Sequence, residues 1–96
     1  MPINGCKLWK TQCYIGGRWI PAIDGETLAV RNPATGEVLG TVPKCGSKET
    51  SAAIDAAVTA MNAWKALTAL ERSKHLHALH ALIEANLDEL AAILTL

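Results

Sequence analysis

Apolar and polar positions change rhythm near the middle of the chain. Up to Pro43 the apolar residues come in short β-prone runs separated by breakers. From Ser47 onward they return every three or four residues, the spacing of one helix face. In the first half, Gln12-Cys13-Tyr14-Ile15 and Arg18-Trp19-Ile20 flank Gly16-Gly17. A Gly-Gly pair between two such runs predicts a β-hairpin over 12–20 with a two-residue turn. Pro21 stops the second run, and Asp24-Gly25 supplies a further turn. A second hairpin is predicted over 26–42, its strands at 26–31 and 37–42 and its loop about four or five residues long. The breakers of that loop each have a mechanical reason. Pro33 pushes Asn32 out of the helical region, so the strand ends there. Gly36 accepts a positive φ without a Cβ penalty, and the Asn32 and Thr35 side chains are suited to bonding nearby backbone.

The second half reads as helical. Ser47 is expected to be an N-cap, with Glu49 in the first turn where the helix dipole favours an anion. Ile54, Ala57, Val58, Met61 and Trp64 share a face, predicting a helix over 48–65. Thr68-Ala69-Leu70-Glu71 fits a capping box opening a second helix over 69–86. On it Leu76, Leu79, Leu82 and Ile83 form one arc, with Ser73, His77, His80 and Glu84 largely opposite. Asn86 is expected to close that helix and Asp88 to cap a third, over 88–96. Residues 1–11 are a polar, weakly patterned stretch expected to be a flexible N-terminal arm. The last residues, Ala91 to Leu96, carry no Gly, basic turn or Pro to end a helix, so the chain reads as ending inside an element. The fold class expected is α+β: two N-terminal hairpins, then two to three helices.

Composition narrows the function classes. The 96 residues carry nine basic and nine acidic side chains. No run of like charge breaks that balance, which argues against nucleic acid or an anionic membrane as partner. No stretch approaches the roughly 18 consecutive apolar residues of a membrane span. Neither does the N-terminus show an apolar signal core behind a basic start. Cys6, Cys13 and Cys45 are odd in number and lack pairing or ligand spacing, so reduced thiols in a cytoplasmic setting are the expectation.

Three stretches in order resemble the aldehyde dehydrogenase family. Tyr14-Ile15-Gly16-Gly17-Arg18-Trp19-Ile20 is similar to the Tyr-Ile-Asn-Gly-Glu-Trp-Val opening of that family. Asn32-Pro33-Ala34-Thr35-Gly36-Glu37-Val38-Leu39-Gly40 resembles its second N-terminal hairpin. Trp64-Lys65-Ala66-Leu67-Thr68-Ala69-Leu70-Glu71-Arg72 resembles its Trp-x-x-Leu-(Thr/Ser)-x-x-Glu-Arg segment. Leu39-Gly40-Thr41-Val42-Pro43 and Ala66-Leu67-Thr68 look most like the succinate-semialdehyde dehydrogenase branch. The resemblance covers residues 12–96. It implies that 12–96 are an incomplete N-terminal portion of a Rossmann-like, α/β cofactor-binding domain. It also implies NAD or NADP as the cofactor of the full-length enzyme, a small aldehyde as substrate and a homo-oligomeric assembly. The implied reaction is attack of a cysteine thiolate on the aldehyde, hydride transfer to NAD(P)⁺, and hydrolysis of the thioester by a glutamate-activated water.

None of those catalytic motifs lies in this chain, so no catalytic, cofactor-binding or metal-ligating residue is assigned, and no cofactor is expected to bind the chain alone. Cys13 follows Gln12, but the family nucleophile sits in Gly-Gln-x-Cys, and here Thr11 replaces Gly and the spacer is missing. An ordinary strand thiol is the expectation. Gly16-Gly17 and Gly36-x-x-x-Gly40 are turn glycines, not a dinucleotide loop. His75, His77 and His80 project at about 0°, 200° and 140° around a helix and do not converge on one ion. His75 falls within the apolar arc and is expected to be a buried neutral imidazole bonded to a carbonyl. Asp24, Glu26 and Glu37 read as turn and edge carboxylates. The resemblance further implies that the Val30 and Arg31 carbonyls contribute to a monovalent-cation site that is incomplete here. Two other readings stand beside the enzyme fragment: a non-catalytic self-association or interaction module, aggregation-prone through its helix faces, and a truncated gene remnant.

Overall fold

The computed structural model describes residues 6–96. Its elements run β1 (Cys13–Ile15), β2 (Arg18–Ile20), β3 (Thr27–Arg31), β4 (Val38–Pro43), α1 (Ser47–Ala66), α2 (Ala69–Ala85) and α3 (Leu87–Thr95). The strands form two separate antiparallel pairs, β1 with β2 and β3 with β4. The described residues divide into two compact units, Lys10–Thr59 and a second built from Ala60–Leu96 with residues 6–9. Among the described residues, no helix is long and apolar enough to cross a membrane.

In the first unit, Gly16 and Gly17 take φ of 61° and 79°, the double positive of a type I′ turn. That turn sets the register Cys13↔Ile20, Tyr14↔Trp19 and Ile15↔Arg18. Tyr14 and Trp19 therefore meet across the strands at 5.0 Å between ring centroids, and Lys10 Nζ lies 5.5 Å from the Trp19 ring. The second hairpin closes as its breakers require. The Asn32 N–H donates to the Glu37 carbonyl at 2.8 Å, and Gly36, at φ 75°, donates to the Asn32 carbonyl at 2.7 Å. Asn32 Oδ1 accepts from the Ala34 N–H and Thr35 Oγ1 from the Glu37 N–H, the local bonds these side chains favour. Pairing then slips between Val30 and Arg31: Val30 faces Gly40 but Arg31 faces Val38, so Leu39 is the extra residue of a bulge.

In the second unit the capping box at α2 is complete. The Glu71 N–H donates to Thr68 Oγ1 at 3.2 Å and the Thr68 N–H to Glu71 Oε2 at 2.7 Å. Thr68→Ala is expected to cost about 1 kcal/mol of helix stability, read as a lower urea midpoint with an unchanged slope. The junction after α2 differs from expectation. Asn86, not Asp88, begins α3, because its carbonyl already accepts the Leu90 N–H at 3.0 Å. Its side chain makes no cap bond to α3 and instead donates to the Leu82 carbonyl at 2.8 Å. Asp88 sits in the first turn, where the helix dipole favours its charge. Of the expected N-terminal arm, residues 1–5 lie outside the described residues. Within the remainder, the Leu8 N–H donates to Glu89 Oε1 of α3 at 3.3 Å. The Cys6 thiol and the Leu8 and Lys7 amides hold the Glu89 carboxyl below its ordinary value.

Burial is sparse. Among the described residues only Ala22, 3% exposed, and Glu49, 7% exposed, are buried. The partly covered helix residues are not those of the expected apolar faces: Ala53 and Ala56 on α1 and Arg72 and Ser73 on α2 are half-buried, whereas Ile54, Val58 and Met61 on α1 and Leu76, Leu79 and Leu82 on α2 are all more than half exposed.

Candidate functional site

The buried carboxylate organises the first unit. Glu49 lies in the first turn of α1, and its two oxygens are both taken by backbone amides. Oε1 accepts the Ile23 N–H at 2.9 Å and Oε2 the Gly46 N–H at 2.8 Å. The Gly46 carbonyl accepts the Thr50 N–H at 3.1 Å, so Gly46, not Ser47, is the N-cap. Ser47 is the first helical residue. Glu49 then stands three residues past the cap and reaches back to its amide, which is half of a capping box. The Ile23 and Gly46 amides lead the causes that hold the Glu49 carboxyl below its ordinary value of 4.5. An open hollow of about 280 Å³ lies beside it, lined by Ile23, Asp24, Gly46, Ser47, Lys48 and Glu49.

The chemistry available to this hollow is restricted. A carboxylate with a depressed pKa and both oxygens engaged is a poor general base. The amide at the start of α1 that would greet a phosphate already donates to Glu49, whose charge repels a second anion. The residues present therefore do not fit a pyrophosphate at this strand-to-helix turn. Sequence reasoning missed the double acceptor. Its signal was Gly46-x-x-Glu49, the capping-box spacing with glycine at the cap.

The other residues singled out fall as follows. Cys13 and Cys45, expected to be unpaired, are brought together with their sulfurs 3.6 Å apart. Loss of hydration and the hydrogen bond with Cys13 push the Cys45 thiol above its ordinary 9.0. No sequence signal announced this pair, which is 32 positions apart and joined by the way the two hairpins lead into α1. His75 is exposed, not buried, and packs on Trp64 at 5.6 Å between rings. It stays exposed because the apolar arc around it is itself uncovered. His80 faces Glu84 one turn on, at 3.3 Å, on open surface. Val30 and Arg31 lie on β3 at the bulge, with Arg31 Nη1 donating to the Gly36 carbonyl at 3.1 Å. Asp24 Oδ1 accepts the Glu26 N–H and Glu26 lies 4.0 Å from Lys44, both exposed turn and edge arrangements.

Residues 19–96, which include the Asn-Pro-Ala-Thr-Gly hairpin and the capped start of α2, match the sequence profile of the aldehyde dehydrogenase family. The chain belongs to that family. It is 50% identical over 95 residues to a glutarate-semialdehyde dehydrogenase of Pseudomonas putida, covering 99% of this chain and 20% of that protein. To the NADP⁺ succinate-semialdehyde dehydrogenase of Escherichia coli it is 47% identical over 96 residues, covering 100% of this chain and 20% of the other. A crystal structure of an E. coli NADP-dependent enzyme superimposes with a TM-score of 0.92 at 47% identity, covering 97% of this chain and 19% of that one. The two hairpins and three helices are thus a piece of the aldehyde dehydrogenase fold, spanning about a fifth of the length of these relatives.

Proposed function

We propose that this chain is the N-terminal part of an NAD(P)-dependent aldehyde dehydrogenase that oxidises succinate semialdehyde to the carboxylic acid. The observation that carries the reading is the 47% identity to the E. coli succinate-semialdehyde enzyme, sustained over the whole chain. Glutarate semialdehyde is the second reading, favoured by the 50% identity to the Pseudomonas putida protein. Residues 12–96 belong, in this reading, to the outer layer of the cofactor-binding domain. The rest of the protein supplies the nucleophilic cysteine, the base and the dinucleotide loop, and the exposed helix faces lie against it or against another subunit. The 96-residue chain alone turns over no aldehyde. Its free thiols fit a cytoplasmic setting.

Two measurements test this. The coding sequence past the Leu96 codon is expected to continue in frame toward a Gly-Gln-x-Cys segment, and its product to reduce NADP⁺ or NAD⁺ with succinate semialdehyde in preference to glutarate semialdehyde. The reverse preference would move the assignment to the second reading. Reduction of NAD(P)⁺ by the purified 96-residue chain would overturn the claim that catalysis lies elsewhere. A discrete, cooperatively melting oligomer with no related sequence beyond Leu96 would favour the interaction module instead.

A further inference from the structure

Cys13 opens β1 and is paired with Ile20 at the open end of the first hairpin. Cys45 lies in the link between β4 and α1, next to the cap residue Gly46. One carboxylate holds both neighbourhoods: Glu49 binds the Ile23 amide just past β2 and the Gly46 amide beside Cys45. The two sulfurs are left in van der Waals contact at 3.6 Å, and Cys45 is exposed. A disulfide bond is about 2.0 Å long, so the two sulfurs have about 1.6 Å left to close.

We propose that Cys13 and Cys45 are a redox-modifiable pair that a peroxide converts to an intramolecular disulfide, strapping the first hairpin to the start of α1. The sulfur of one cysteine, as thiolate, attacks a peroxide oxygen. The O–O bond breaks, and a sulfenic acid and one water form. The sulfur of the other cysteine displaces the hydroxyl as a second water, and the S–S bond closes. Two thiols and one hydrogen peroxide thus give one disulfide and two waters, the sulfurs losing the two electrons that the peroxide gains. Cys6 is the internal comparison. It belongs to the other unit.

The test oxidises the 96-residue chain with dilute hydrogen peroxide, blocks the remaining thiols, digests with trypsin and maps linked peptides by mass spectrometry. Before blocking, the oxidised chain is expected to have lost about 2 Da and to run as a monomer on a non-reducing gel, and the digest joins peptide 11–18 to peptide 45–48. That linkage is expected to exceed either Cys6 linkage about tenfold or more in buffer, and to fall toward a statistical mixture in urea. Cys6→Ser keeps it, whereas Cys13→Ser or Cys45→Ser abolishes it. Linkages in buffer distributed as in urea would overturn the proposal. So would disulfide dimers as the main product, or over-oxidised cysteines with no 13–45 bond.

Discussion

Glu49→Ala is expected to release the start of α1 from the loop after β2. The substitution strands two amide donors, Ile23 and Gly46, that the carboxylate satisfies at 2.9 and 2.8 Å. Amide exchange at both positions should accelerate by about tenfold or more, with the melting temperature falling alongside. Glu49→Gln is no rescue, because one of its two polar atoms donates and would face an N–H. Ser47→Ala is the discriminating control. Ser47 is the residue that composition nominates as the cap, yet the cap is Gly46, so S47A should stay within about 0.5 kcal/mol of the parent. Equal losses from both variants would refute the assignment. A pH series adds a second axis. The folded pKa of Glu49 lies below the ordinary 4.5 that it regains on unfolding. Its contribution is therefore complete above about pH 4.5 and drains away as the pH falls through the folded value. E49A should lose that acid sensitivity, and a parent and variant with the same acid slope would count against the argument.

The second large effect concerns association. Leu76, Leu79, Leu82 and Ile83 make a stripe on α2 that is 60%, 52%, 62% and 45% exposed, and α1 carries a similar one. Uncovered apolar faces of this kind drive helices together in water. The chain on its own, 10.2 kDa as a monomer, is expected to sediment heavier as its concentration rises and to bind the dye ANS. Leu79→Lys with Leu82→Lys should cut both signals several-fold, each lysine placing a charge where association would bury it. Sedimentation at the monomer mass over a wide concentration range would show that the stripes are tolerated in water.

Much of the local structure was legible because each turn had a single physical solution. Gly16-Gly17 admits the positive φ pair, Pro33 and Gly36 bracket the second loop, and Thr68 with Glu71 closes both ends of a capping box. The errors share a different cause. At Ser47 and Asp88, residue preference nominated a good capping side chain, whereas the cap is fixed by which carbonyl accepts the first helical bond, and that went to Gly46 and Asn86. Periodicity drew apolar helix faces that the chain leaves exposed, with Ala53, Ala56, Arg72 and Ser73 half-buried instead, which is why His75 looked buried and is not. The Cys13–Cys45 contact is a property of topology. Nothing local to either cysteine encodes it.

Asn86 has a consequence for how this region tolerates change in length. Its amide is shared between the Leu82 and Ile83 carbonyls, its carbonyl serves Leu90, and no residue separates it from either helix. A single pair of dihedrals, φ −117° and ψ 22°, sets the angle at which α3 leaves α2. The joint has no slack. One residue added or removed there would turn α3 about its own axis by about 100° and swing Glu89 away from the Leu8 amide that it holds. The 32–37 hairpin loop has no such burden, since its bonds are local to the loop, and it is the place where extra residues could be carried without moving a helix.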